Sequence, residues 1–170
     1  MFSGDLDGNV YEHSIMPISW GKTHSGGILA IETTYDQKYI YISDMWGIVK
    51  KFSLQKPKKL LKTFEYIHKG RILSMSSTND CKYLFTSDQH GNLKQFSINT
   101  DKQLHSYGQV HESWMKSIKA TNNSKFLFTT EQCGVLLQFD IKNKALMENH
   151  GHIIEGLINS ISITFDDKYL

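Results

Sequence analysis

The sequence predicts an all-β repeat protein made of four-stranded antiparallel blades, the architecture of a β-propeller. Three observations carry this prediction. One seven-residue block occurs four times, a glycine-centred block follows it at a fixed offset, and the segments between them read as short strands.

The first block is Thr34-Tyr-Asp-Gln-Lys-Tyr-Ile40, matched by Thr78-Asn-Asp-Cys-Lys-Tyr-Leu84, Thr121-Asn-Asn-Ser-Lys-Phe-Leu127 and Thr164-Phe-Asp-Asp-Lys-Tyr-Leu170. The second is Ser43-Asp-Met-Trp-Gly-Ile-Val-Lys-Lys-Phe-Ser-Leu54, matched by Ser87-Asp-Gln-His-Gly-Asn-Leu-Lys-Gln-Phe-Ser-Ile98 and Thr130-Glu-Gln-Cys-Gly-Val-Leu-Leu-Gln-Phe-Asp-Ile141. Gly4-Asp-Leu-Asp-Gly-Asn-Val-Tyr-Glu-His-Ser-Ile15 is a further copy. Its glycine and those of the others, Gly8, Gly47, Gly91 and Gly134, are spaced by 39, 44 and 43 residues. A period of this length fits a propeller blade or a helix-pair repeat.

Strand chemistry decides between the two. Segments such as 38–43 and 125–130 are short and rich in β-branched and aromatic residues, and no stretch holds a helical period over three turns. Within one copy the expected strands are 28–33, 38–43, 48–54 and 59–64. Asp36, Asp80, Asn123 and Asp166 supply turn chemistry before the second strand. The four repeat glycines allow the positive φ that the next tight turn requires.

The copies divide the chain into a partial blade 1–23, full blades 24–67, 68–110 and 111–149, and a partial blade 150–170. Met1 and Leu170 both align with Leu84, so the chain holds almost a whole number of repeats. Two arrangements follow. An incomplete propeller is the leading one. The other is a closed four-bladed ring, in which residues 157–163 pair with residues 1–3 and 10–15.

Composition narrows the function. Of 170 residues, 39% are hydrophobic, enough for a substantial core, and 19 basic against 17 acidic residues leave no strong bias toward nucleic acid or anionic membrane. Two cysteines make no disulfide framework and no C-x-x-C pair. Cys81 and Cys133 fall in the first and second turns of their copies, on opposite blade faces, so no bridge between them is expected. With no signal peptide or apolar span in the sequence, the expected location is intracellular, the cytoplasm ahead of the nucleus. No nucleophile elbow, phosphate-binding glycine loop or zinc spacing occurs, and neither an enzyme, a metal nor a cofactor is expected.

The order His, then Thr-x-Asp-x-Lys-Tyr-Leu, then Ser-Asp-x-x-Gly-x-x-x-x-Phe-Ser resembles the WD-repeat signature over essentially the whole chain. The resemblance implies propeller blades, relatives with about seven of them, and a protein-interaction role. It places His24, His68 and His111 at the histidine of the family's Gly-His pair. Phe52, Phe96 and Phe139 stand at its Trp, and Ser53, Ser97 and Asp140 at its Asp. In the family a histidine, a hydroxyl, a turn Asp and the Trp indole form a buried tetrad. Phe has no N–H to donate, so that chain ends early here. The turn Asp normally precedes the glycine directly, where Trp46, His90 and Cys133 stand and only Asp7 matches. Asp44, Asp88 and Glu131, two residues further back, are the substitutes. His150 and His152 read as a displaced copy of the repeat histidine.

Positions that vary while the framework repeats are the candidates for function. Gly27, Arg71 and Trp114 share one such position, and Trp46, His90 and Cys133 another. Trp46, Arg71, His90 and Trp114, with Lys69 and Glu112 at the edge, are the candidate surface for other proteins or peptide segments; Trp and Arg are types enriched at binding hot spots. The competing reading of Trp46 and Trp114 is that they cover neighbouring blades. A second class of function is a phosphoinositide-membrane or nucleic-acid adaptor acting through the basic stretch from Lys50 to Lys62. Edge-strand protection by lysines accounts for the same stretch.

Overall fold

The structure is a computed structural model that describes residues 1–13 and 18–170. Fifteen strands and no helix occur among the described residues. The chain forms two compact units, residues 1–33 with 37–72, and residues 34–36 with 73–170.

In the first unit, β1 (Phe2–Gly4), β2 (Asn9–Glu12) and β3 (Ile18–Lys22) make a three-stranded antiparallel sheet in that order. β4 (Ile28–Thr33), β5 (Tyr39–Asp44), β6 (Val49–Ser53) and β7 (Leu60–Phe64) make a four-stranded meander. These bounds lie within one residue of the predicted strands. Val10, Ile28, Ile40 and Ile42 form the unit's core, with Phe2, Trp20 and Phe52 packed against it.

The second unit repeats the meander twice. One sheet is β8 (Ile72–Ser77), β9 (Tyr83–Asp88), β10 (Asn92–Ser97) and β11 (Gln103–Gln109). The other is β12 (Met115–Ala120), β13 (Phe126–Glu131), β14 (Val135–Asp140) and β15 (Ala145–His152). Phe85, Leu93, Met115, Ile118, Leu127, Leu137 and Phe139 interlock as one buried cluster. Side chains of one sheet also bond the backbone of the next: Ser74 Oγ accepts from Ile118 N at 3.2 Å and Ser76 Oγ from Ala120 N at 3.0 Å.

The repeated Thr-x-Asp-x-Lys block is a self-bonded turn. Threonine Oγ1 donates to the carboxylate or amide oxygen two residues on, in Thr34–Asp36 at 2.7 Å, Thr78–Asp80 at 2.6 Å, Thr121–Asn123 at 2.8 Å and Thr164–Asp166 at 2.8 Å. The next residue takes positive φ in every copy: Gln37, Cys81, Ser124 and Asp167 lie at 55°, 55°, 58° and 57°. Cys81 is thus in the first turn and Cys133 in the second, and both are free thiols.

Two expectations are corrected. Residues 157–163, which the pairing of a closed ring would need as a strand, form none. The portion of that pairing on Ser14 and Ile15 lies outside the described residues. Residues 157–163 nonetheless hold a first-strand position, since Ile161 N donates to Ser117 Oγ at 3.2 Å, the bond Ile118 makes to Ser74 one copy earlier.

His150 and His152 are not displaced repeat histidines. Both lie on β15, which runs past residue 149 to His152. The amides that bond Gly8 O include His24 N, those that bond Gly91 O include His111 N, and Gly134 O takes Ile153 N; a Cβ on Gly134 would meet Ile154 O. Ile154 therefore holds the histidine position. His150 belongs instead with Trp20 and Tyr107: each sits at a register shift in its sheet and precedes a glycine of positive φ, Gly21, Gly108 and Gly151.

Candidate functional site

The framework residues explain how the loops are held. Asp44 Oδ1 accepts from Trp46 N and Ile48 N at 2.9 and 3.0 Å, and Asp88 Oδ1 accepts from His90 N and Asn92 N, both at 2.9 Å. In these two copies a carboxylate two residues before the tip thus locks the turn. Glu131 differs. Its Oε2 accepts from Ser113 N and Ser113 Oγ at 3.0 Å, so it holds the loop before β12.

His24, His68 and His111 are all buried. His111 Nε2 lies 2.8 Å from Thr129 Oγ1, and its Nδ1 is 3.8 Å from Glu131 Oε2. Burial lowers the His111 pKa against the opposing pull of Glu131. Burial, with the charge of Lys50, lowers that of His24 to about 4. Ile42 stands where Thr129 does in its copy, so His24 faces no side-chain hydroxyl from that position.

At the positions where the family has Trp, aromatic edges replace the indole hydrogen bond. Trp20 meets Phe52 edge-on with centroids 5.7 Å apart, and Tyr107 meets Phe139 edge-on at 5.4 Å. Such pairs contribute about 0.5–1.5 kcal/mol beyond area burial. The residues from the outer strands, Trp20 and Tyr107, were not singled out from sequence, although they recur with the period as Trp20, Phe64, Tyr107 and His150.

All six candidates for partner contact are exposed. In the first unit Trp46 is 54% exposed, yet its indole lies over Gly26, where an added Cβ would sit 2.5 Å from Nε1. Gly26 belongs to the same copy, 24–67, as Trp46. Lys69 and Arg71 stand on the segment before β8. In the second unit Trp114 is 41% exposed, its carbonyl accepts from Gln132 N at 2.9 Å, and Lys116 Nζ sits 4.8 Å from its ring. Met45 N bonds Gly27 O in the same way at 3.1 Å, which supports the alignment of Gly27 with Trp114. His90 tips the β9–β10 turn, and Glu112 precedes Ser113.

The basic stretch is partly consumed inside the fold. Lys50 Nζ donates to Thr23 O at 2.6 Å, and Lys51 is buried with its ammonium 4.1 Å from the Tyr39 ring centroid. Lys58 pairs with Glu12 and lies 5.0 Å over Trp20. Lys56, Lys59 and Lys62 are exposed.

No family sequence model matches the chain, and no curated protein matches it in sequence. Solved structures match it in fold. The WD40 repeats of RRP9 in a crystal structure give a TM-score of 0.74 at 13% identity, over 92% of this chain and 46% of that one. A structure of U3-55K gives 0.74 at 13%, over 91% and 45%, and hydrazine synthase of Kuenenia stuttgartiensis gives 0.74 at 14%, over 83% and 40%. The chain thus spans less than half the length of these structures. Four-stranded antiparallel meanders repeated at this period define β-propeller blades. The fold is that of WD40 repeats.

Proposed function

We propose that this chain is a non-enzymatic scaffold segment that binds other proteins or peptide segments through its loops. The observation that carries the reading is the pairing of exposed indoles with locked backbones. Trp46 stands on a turn fixed by buried Asp44, and Trp114 on a loop bonded to Gln132 and followed by fully buried Met115. An anchor presented on a rigid loop loses little freedom on binding. Lys69 and Arg71 add contact chemistry in the first unit, as His90 and Glu112 do in the second. Burial of the repeat histidines supports a framework role for them over catalysis. The internal contacts of Lys50, Lys51 and Lys58 weigh against a phosphate-binding surface.

The test is selection of peptides from a random displayed library on the immobilised chain, followed by affinity measurement on variants. Trp114→Ala or Arg71→Ala should weaken the selected peptides at least tenfold while shifting the thermal midpoint by less than about 2 °C. Unchanged affinity in both variants, or loss of fold in both, overturns the reading.

A further inference from the structure

In the second unit, the β12–β15 sheet and the segment 110–112 line a cavity of about 360 Å³, at the small end of the roughly 300–1,000 Å³ range of ligand sites. Its polar wall carries His111, Glu112 and Glu131, and its apolar wall carries Val135, Leu137 and Leu146. Asn149 and His152 complete the β15 side.

Glu131 is the unusual member. Asp44 and Asp88 each spend Oδ1 on the amides of their own turns, whereas the longer Glu131 turns back toward Ser113 and lines the cavity. Its side chain is only 9% exposed; the His111 ring lies 3.8 Å away and is 1% exposed, and His152 lines the same cavity. Burial lowers the pKa of the His111 ring. Oε2 serves Ser113, and no hydrogen bond to Oε1 is formed among the described residues. Neither Glu131 nor Glu112 pairs with a lysine or arginine among those residues. A buried carboxylate without a cation is costly, and the cost falls when a cation enters. No group of three or more potential metal ligands exists among the described residues, which points away from a metal ion. The apolar lining of Val135, Leu137 and Leu146 suits an aliphatic stem, as a lysine or arginine carries behind its charge.

We infer that this cavity receives the arginine or lysine side chain of a partner peptide, its charge at Glu131 and Glu112 and its stem along Val135, Leu137 and Leu146. The inference rests on the interaction reading above and supplies the chemistry of one contact.

The test is an NMR titration of the ¹⁵N-labelled chain with N-acetyl-arginine methylamide, N-acetyl-lysine methylamide and the neutral N-acetyl-citrulline methylamide. Saturable shifts at the Ser113, Val135 and Leu146 amides are expected with at least one cationic probe. Binding should weaken at least fivefold with the neutral probe, and again in Glu131→Gln and Glu112→Gln. Glutamine at 131 retains an acceptor for Ser113, and residue 112 is exposed, so the second variant reports even if the first is unstable. Absence of saturable shifts, equal binding of citrulline, or unchanged affinity in Glu112→Gln and Glu131→Gln overturns the inference. Library-selected peptides that still depend on Trp114 while the cationic probes leave these amides unmoved would sink the cavity assignment alone.

Discussion

Gly91 is pressed against the carbonyl of His111: a Cβ at position 91 would lie 2.0 Å from that oxygen. The relation repeats at Gly8 with His24 at 2.2 Å, at Gly47 with His68 at 2.5 Å and at Gly134 with Ile154 at 2.5 Å. Each repeat glycine therefore does two things, adopting positive φ and admitting the loop that leads into the next copy. Gly91→Ala should cost about 3–4 kcal/mol, the left-handed penalty plus displacement of a backbone carbonyl. Gly108, at φ 75° with nothing within 4 Å of an added Cβ, is the control. Gly108→Ala should cost about 1–2 kcal/mol. Urea unfolding of the two variants makes the comparison, and equal losses would refute the close-approach argument.

Tyr107 links β11 to Phe139 by its ring edge and donates its hydroxyl to Gln95 Oε1 at 3.3 Å. Tyr107→Ala should cost about 3 kcal/mol, and Tyr107→Phe about 1 kcal/mol. Burial, and secondarily the charge of Asp140, pushes the phenol up to about 12. A raised folded-state pKa means stability that is complete below the unfolded value near 10 and declines as pH rises through 12. Denaturant midpoints taken from pH 9 to 12 should fall more steeply in the parent than in Tyr107→Phe.

His24 predicts the opposite sign. Its folded pKa of about 4 lies below the unfolded 6.5, so its contribution is present above pH 6.5 and is lost as pH falls through 4. The loss is on the order of 2–3 kcal/mol. Replacing His24 by Gln should flatten the stability profile between pH 6.5 and 4, and a profile unchanged in slope would remove His24 as the cause.

Asn122 joins three turns of the second unit. Its Oδ1 accepts from Asn79 Nδ2 at 3.1 Å, its Nδ2 reaches Thr164 O at 3.0 Å, and its amide donates to Asp167 Oδ1 at 2.7 Å. Asn122→Ala should loosen residues 157–167, seen as hydrogen exchange at least tenfold faster there, with a global loss of about 1–2 kcal/mol. Unaltered exchange would show that the Asn122 side chain does not secure the segment.

The strands and turns were legible because they depend on near neighbours. Threonine and aspartate two residues apart make a turn wherever the chain runs, and alternation of apolar residues marks a strand face. The positive φ of Gln37, Cys81, Ser124 and Asp167 was not read, since none is glycine and the turn, not the side chain, imposes it. Of the candidate surface, exposure of all six residues agrees with the sequence reading, while the overlap of Trp46 with Gly26 depends on how two loops meet.

By itself the sequence determined the repeat, its four-strand unit and the family it resembles, because these follow from period and local turn chemistry. Only the tertiary structure decided that Ile154 takes the histidine place, that Trp20 and Tyr107 face the phenylalanines, and that Glu131 leaves its turn to line a cavity. Each of these depends on residues far apart in the chain coming within a few ångströms, and one methylene more in Glu131 than in Asp88 is enough to change which amide its carboxylate reaches.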